Sequence, residues 1–109
     1  MNSDRTDELK RLDFAHVWHP FTQHAEWFRH EPLFIERAEG CVLEDSESRK
    51  YIDAVGSLWV GVHGHRHPVV DAAVQAQLQR VAHSTFLGLS HPSAVELSQR
   101  LVECGPADL

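Results

Sequence analysis

Gly56-Ser57-Leu58-Trp59-Val60-Gly61-Val62-His63-Gly64-His65-Arg66-His67-Pro68 is the stretch on which the reading of this chain turns. It crowds one tryptophan, three glycines and three histidines ahead of a helix-starting proline. Glycine lets a backbone approach a ligand closely or take positive φ. An aromatic beside such a loop needs a surface to pack or stack against. That composition describes the wall of a pocket and not a linker.

Working outward, Leu33–Arg37 and Cys41–Glu44 flank Glu39-Gly40, a hairpin signal. Asp45–Arg49 reads as a second turn leading to a short strand at Lys50–Asp53, so residues 33–53 are expected to form a small antiparallel meander. Residues 1–32 read as an irregular arm. Within it, Leu9 and Leu12 share one side of a short helical turn over 4–12, and the aromatic-rich run from His16 to Pro32 holds a turn of helix near 24–29. After the pocket loop, residues 54–67, a helix-loop-helix is expected over 68–105. Pro68 suits the first helical position, and Val70, Val74, Leu78 and Val81 then form one apolar stripe. Pro92 opens a second helix with Val95, Leu97, Leu101 and Val102 inward, closing at Gly105-Pro106 as a C′ glycine and a breaker. The fold class is α+β: a small antiparallel meander plus two amphipathic helices.

The chain has 109 residues, enough for one domain at most. A hydrophobic share of 42% and a charged share of 24% are those of an ordinary soluble globular protein. The formal net charge of −6 argues against a nucleic-acid or anionic-membrane surface. No apolar run approaches the roughly 18 residues of a membrane span, and Met1–Arg11 carries no apolar signal region. Cys41 and Cys104 form no Cys-x-x-Cys pair and no disulfide framework, so a reducing cytoplasm is the expected setting.

His63, His65 and His67 alternate, and on a strand three imidazoles could meet one zinc. Gly64 and the helix start at Pro68 argue instead for a turn in which histidines bridge backbone groups, and no metal site is assigned. Ser84-Thr85 has no Asp-His partner pattern and reads as a cap or turn. Cys41 and Cys104 read as buried small hydrophobes. Trp59 taken by itself reads as a core aromatic.

Three further blocks give the chain a likeness: His16-Val17-Trp18-His19-Pro20-Phe21-Thr22-Gln23, Pro32–Gly40, and Ala82-His83-Ser84-Thr85-Phe86-Leu87-Gly88-Leu89-Ser90-His91-Pro92. In this order with the Gly56–Pro68 stretch, they resemble the start of a class III aminotransferase, and among these the branch that acts on 8-amino-7-oxononanoate in biotin synthesis. The likeness runs from about Asp13 to Leu109, and Trp-His-Pro-Phe-Thr-Gln is its most specific part. It implies the N-terminal segment of a fold-type I, pyridoxal phosphate (PLP)-dependent transferase that works as a cytoplasmic homodimer on small molecules. The family's phosphate loop, ring-covering aromatic, ring-nitrogen aspartate and PLP-bearing lysine would all lie beyond Leu109. The only lysines, Lys10 and Lys50, sit in a charged run and a polar turn, so no catalytic or cofactor-binding residue is assigned and the chain alone is expected to be inactive.

The likeness recasts Trp59 as a wall of the oxononanoate pocket. Phe21 replaces the family's usual tyrosine, keeping the stacking face and losing the hydroxyl. Leu58 stands where many S-adenosylmethionine users have a second tryptophan, and some relatives with a Leu-Trp-like pair use lysine as amino donor. The second turn carries Ser46, Glu47 and Ser48 where a glycine is usual, at a cost on the order of 1 kcal/mol if it needs positive φ. The alternatives are another class III aminotransferase for an ω-amino acid or polyamine, or a non-catalytic interaction or metal-binding module.

Overall fold

The computed structural model describes residues 3–27 and 29–106. In chain order the elements are α1 (Ser3–His16), α2 (His24–Trp27), β1 (Ile35–Glu39), β2 (Val42–Asp45), β3 (Lys50–Ile52), α3 (Gly56–Trp59), α4 (Pro68–Leu78) and α5 (Pro92–Glu103). Contacts divide the chain into two compact units, one reaching Val70 and the other starting at Asp71.

The first unit is built on an antiparallel sheet of order β1-β2-β3. Glu39 pairs with Val42, so the hairpin turns at Gly40-Cys41, one residue later than expected, with Gly40 at φ 56°. The register shifts between Ile35 and Arg37, a bulge at Glu36. Arg37 faces Glu44, which in turn faces Lys50, an opposite-charge ladder across the three strands. The second turn requires positive φ: Ser48 sits at 64°. Asp45 holds that turn, accepting from the N–H groups of Glu47 and Arg49 (2.9 Å each), Arg49 Nε (2.7 Å) and Tyr51 Oη (2.9 Å).

Much of the supposed irregular arm is helix, because α1 extends to His16. Its sequence is mostly polar, with Leu9, Leu12 and Phe14 set among charged residues, and such helices rely on side-chain pairs and anchors. Glu8 pairs bidentately with Arg11 (2.6 and 2.8 Å). Arg5 reaches Glu36 of β1 at 2.8 Å, and the Thr6 hydroxyl bonds the Ser46 hydroxyl at 2.8 Å in a buried contact.

In the second unit, α5 starts as expected: Pro92 occupies its first turn and the His91 Nδ1 accepts from the Ala94 N–H at 3.4 Å. Helix α5 also stops where expected, with Cys104 as its cap and Gly105 at the C′ position, although Gly105 is not left-handed. Three expectations are corrected. Helix α4 ends at Leu78, leaving Val81 outside it, because the Gln77 side chain donates to the Val81 carbonyl (2.9 Å) and closes the end. Val95, Leu97, Leu101 and Val102 are exposed and not inward, and among the described residues no apolar side chain is buried. Cys41 and Cys104 are likewise exposed free thiols, since one lies on the hairpin turn and the other at a helix end.

Candidate functional site

The pocket loop opens with a turn of helix. From Gly56 to Trp59 the backbone closes one turn of helix with the hand reversed: φ is 56°, 48°, 64° and 71° at Gly56, Ser57, Leu58 and Trp59. The Trp59 N–H reaches the Val55 carbonyl at 3.0 Å and the Gly61 N–H reaches the Gly56 carbonyl at 2.8 Å. Glycine enters this region freely, but each L-residue pays about 1–2 kcal/mol because Cβ crowds the following carbonyl. On this turn Leu58 is 67% exposed and Trp59 80%.

Asp53, at the end of β3, sits beneath this turn. It accepts from the Ser57 N–H (2.9 Å) and the Ser57 hydroxyl (2.7 Å), and its Oδ2 meets His65 Nε2 at 2.8 Å. These bonds, the Ser57 N–H and hydroxyl before His65, hold the Asp53 carboxyl down at about 2 against its burial. As a carboxylate it only accepts, so His65 Nε2 carries the hydrogen. Ser57, His65 and Asp53 therefore gather without forming a hydrolase triad. Serine and histidine donate to the same carboxylate oxygen, and the His65 Nε2 that lies 3.5 Å from the Ser57 hydroxyl carries its own hydrogen, so it cannot take the serine's proton.

His65 is fixed in turn by a two-way backbone bridge to Gly40 (2.8 and 3.0 Å). A Cβ at Gly64 would come within 3.0 Å of the Gly40 carbonyl oxygen, so glycine there is what lets the loop lie against the hairpin turn. His63 and His67 face each other with ring centroids 5.8 Å apart, while His65 turns to Asp53. No group of three metal-ligating side chains converges among the described residues.

Phe21 stands on a second loop of the same unit, built the same way. It too is left-handed (φ 51°) and fully exposed. Here Asp13 is the carboxylate, accepting from Trp27 Nε1 at 2.7 Å and meeting His19 Nε2 at 2.9 and 3.0 Å. The His19 ring lies 4.2 Å from that of Trp27, and the His19 N–H donates to His24 Nε2 at 3.1 Å.

Thus Leu58 and Trp59 share one turn and Phe21 occupies another, each presented from left-handed backbone. Sequence reasoning passed over Asp13 and Asp53, and it assigned His65 to a turn without its carboxylate partner. An aspartate four residues ahead of a serine in a glycine-containing loop was the available signal, since such aspartates tie down the following backbone.

A concavity of about 430 Å³ lies over the charge ladder, lined by Arg37, Ala38, Glu39, Val42, Glu44, Lys50 and Arg66, with Leu58, Trp59 and Phe21 outside it. Lys50 is exposed, and Lys10 is half-buried beside Asp7 at 3.8 Å. Neither offers the desolvated amine on which PLP is carried, so these residues do not fit that cofactor.

Comparison with known proteins gives the chain its relatives. The family model for class-III aminotransferases matches residues 24–109. An adenosylmethionine-8-amino-7-oxononanoate aminotransferase of Nitratidesulfovibrio vulgaris is 51% identical over 107 residues, 98% of this chain and 20% of that protein. The crystal structure of the enzyme of that name from Methanocaldococcus jannaschii superposes with a TM-score of 0.88 at 36% identity, over 92% of this chain and 23% of that one. An (S)-enantioselective omega-transaminase from Thermomicrobium roseum gives a TM-score of 0.85 at 37% identity, over 93% of this chain and 23% of that one. The chain thus spans about a fifth of the length of the relatives it matches. The α+β architecture is that of a fold-type I transaminase segment.

Proposed function

The chain belongs to the class-III aminotransferase family, and from that premise we propose that it forms part of a PLP-dependent enzyme that transfers an amino group to 8-amino-7-oxononanoate, giving 7,8-diaminononanoate in biotin biosynthesis. The observation that carries the reading is the display of Phe21, Leu58 and Trp59 from left-handed turns; the similar enzymes supply the acceptor's identity. Exposed aromatics held in costly backbone are what an apolar substrate wall requires.

In this reading Trp59 packs on the aliphatic chain of the acceptor, and Phe21 stacks without donating a hydrogen bond. Leu58 leaves room where a second aromatic would cover an adenine, so lysine serves as amino donor, alone or beside S-adenosylmethionine. PLP supplies the electron sink for the transfer and is held by parts of the enzyme outside these residues. The complete enzyme is a cytoplasmic homodimer, and the 109-residue chain alone has no turnover.

The test uses the complete enzyme. Turnover of 8-amino-7-oxononanoate is expected, and Trp59→Ala lowers kcat/KM by a factor equivalent to about 1–3 kcal/mol of transition-state binding, with cofactor absorbance retained. Equal loss of cofactor and activity would make Trp59 a folding residue. Half-reactions followed by cofactor absorbance decide the donor: rapid reaction with S-adenosylmethionine and none with lysine refutes the role given to Leu58. A second reading, an aminotransferase of ω-amines, rests on the likeness to the omega-transaminase; turnover of simple amines without the oxononanoate would establish it.

A further inference from the structure

Ser57, Leu58 and Trp59 form an unbroken left-handed run after Gly56. L-residues visit that region singly, and a run persists only where its surroundings over-determine it. The surroundings here are specific. One Asp53 carboxylate takes both the N–H and the hydroxyl of Ser57, and His65 shares with that hydroxyl the oxygen Oδ2. His65 is itself bolted to the hairpin turn through both of its backbone groups.

Resting on the functional reading above, we infer that Asp53 and His65 are positioning residues: a latch that holds the Gly56–Trp59 turn left-handed and so fixes where Leu58 and Trp59 meet the acceptor and the donor. Neither residue touches substrate. The side chains at 58 and 59 select the substrates, and the latch selects the direction in which they point. With the carboxylate gone, the turn loses the bonds that offset its strain, and the two side chains leave the pocket wall.

The experiment is a variant series in the complete enzyme, labelled with 5-fluorotryptophan, the Trp59 resonance being assigned with Trp59→Phe. Asp53→Ala is expected to raise the KM of the amino acceptor about tenfold, with kcat changed much less and cofactor absorbance retained. The Trp59 fluorine resonance should shift or broaden. Asp53→Asn, which still accepts from the Ser57 N–H, falls between. The decisive variant is Asp53→Ala with Ser57→Gly. Glycine enters left-handed backbone without the Cβ penalty, so this pair should recover most of the KM and restore the resonance.

An unmoved KM and an unmoved resonance in Asp53→Ala overturn the latch. Joint loss of cofactor, kcat and KM with no recovery by Ser57→Gly also overturns it, making Asp53 a folding residue. If the wild type does not turn over the oxononanoate, the functional reading fails by itself, and the fluorine resonance still decides the latch without substrate.

Discussion

The two units of this chain hold their backbones by opposite means. Up to Val70, three carboxylates do the work: Asp13, Asp45 and Asp53 each gather two or more donors and fix a neighbouring loop or turn. From Asp71 onward lie the rest of α4 and all of α5, capped or closed helices whose apolar residues stand open, with Val74, Leu78, Leu97 and Leu101 all more than half exposed. Polar ties specify local backbone whether or not anything covers them, because a hydrogen bond has direction and a fixed partner. An apolar stripe specifies nothing until a second surface removes it from water.

The sharpest way to break the comparison is Leu101→Asp. In the complete enzyme a covering surface would meet this residue, and the change should cost about 2–5 kcal/mol by the lost burial and a stranded charge. In the 109-residue chain, where Leu101 is 64% exposed, the same change should leave the melt nearly unmoved and reduce binding of the dye ANS. A large loss in the short chain would show that α5 is already covered.

Acid should strike the first unit selectively. Burial pushes the Asp45 carboxyl up, but the Arg49 side chain and N–H, the Tyr51 hydroxyl and the Glu47 N–H outweigh it and bring it to about 2; Asp53 is also at about 2. Both lie below the ordinary unfolded value of about 3.9. Their contribution is therefore complete above pH 4 and drains away as the pH falls from about 4 towards 2. Amide exchange followed across that range should open residues 45–65 before α5; simultaneous opening would refute the distinction.

The smallest effect is expected at Ser48. Its φ of 64° is one that glycine adopts without cost, so Ser48→Gly should stabilise by about 0.5–1 kcal/mol in a thermal melt. A loss would mean that the turn's rigidity depends on the serine.

The same contrast explains what could be read from sequence. The meander and the helix starts at Pro68 and Pro92 follow from local rules: turn glycines, fixed proline φ, periodic valines and leucines; Phe21, Leu58 and Trp59 are singled out by the family likeness and by no local rule. The extent of α1 was missed because its anchors, Glu36 and Ser46, lie far along the chain. The inward face of α5 was misassigned because periodicity reports which side is apolar and not whether anything covers it. The reversed hand of α3 escaped notice because only one of its four residues is glycine. Its cause, Asp53 with His65, joins residues twelve apart, and spacing rules for helices and strands do not reach that far.

The left-handed turn also restricts the alphabet of the pocket. Valine, isoleucine and threonine carry a second heavy substituent on Cβ and tolerate positive φ worst of all. Position 58 can thus exchange leucine for an unbranched or aromatic side chain but not for the closest aliphatic substitutes. Evolution or engineering that retunes this wall must move in large steps of size and shape, because the hand of one turn has removed the small ones.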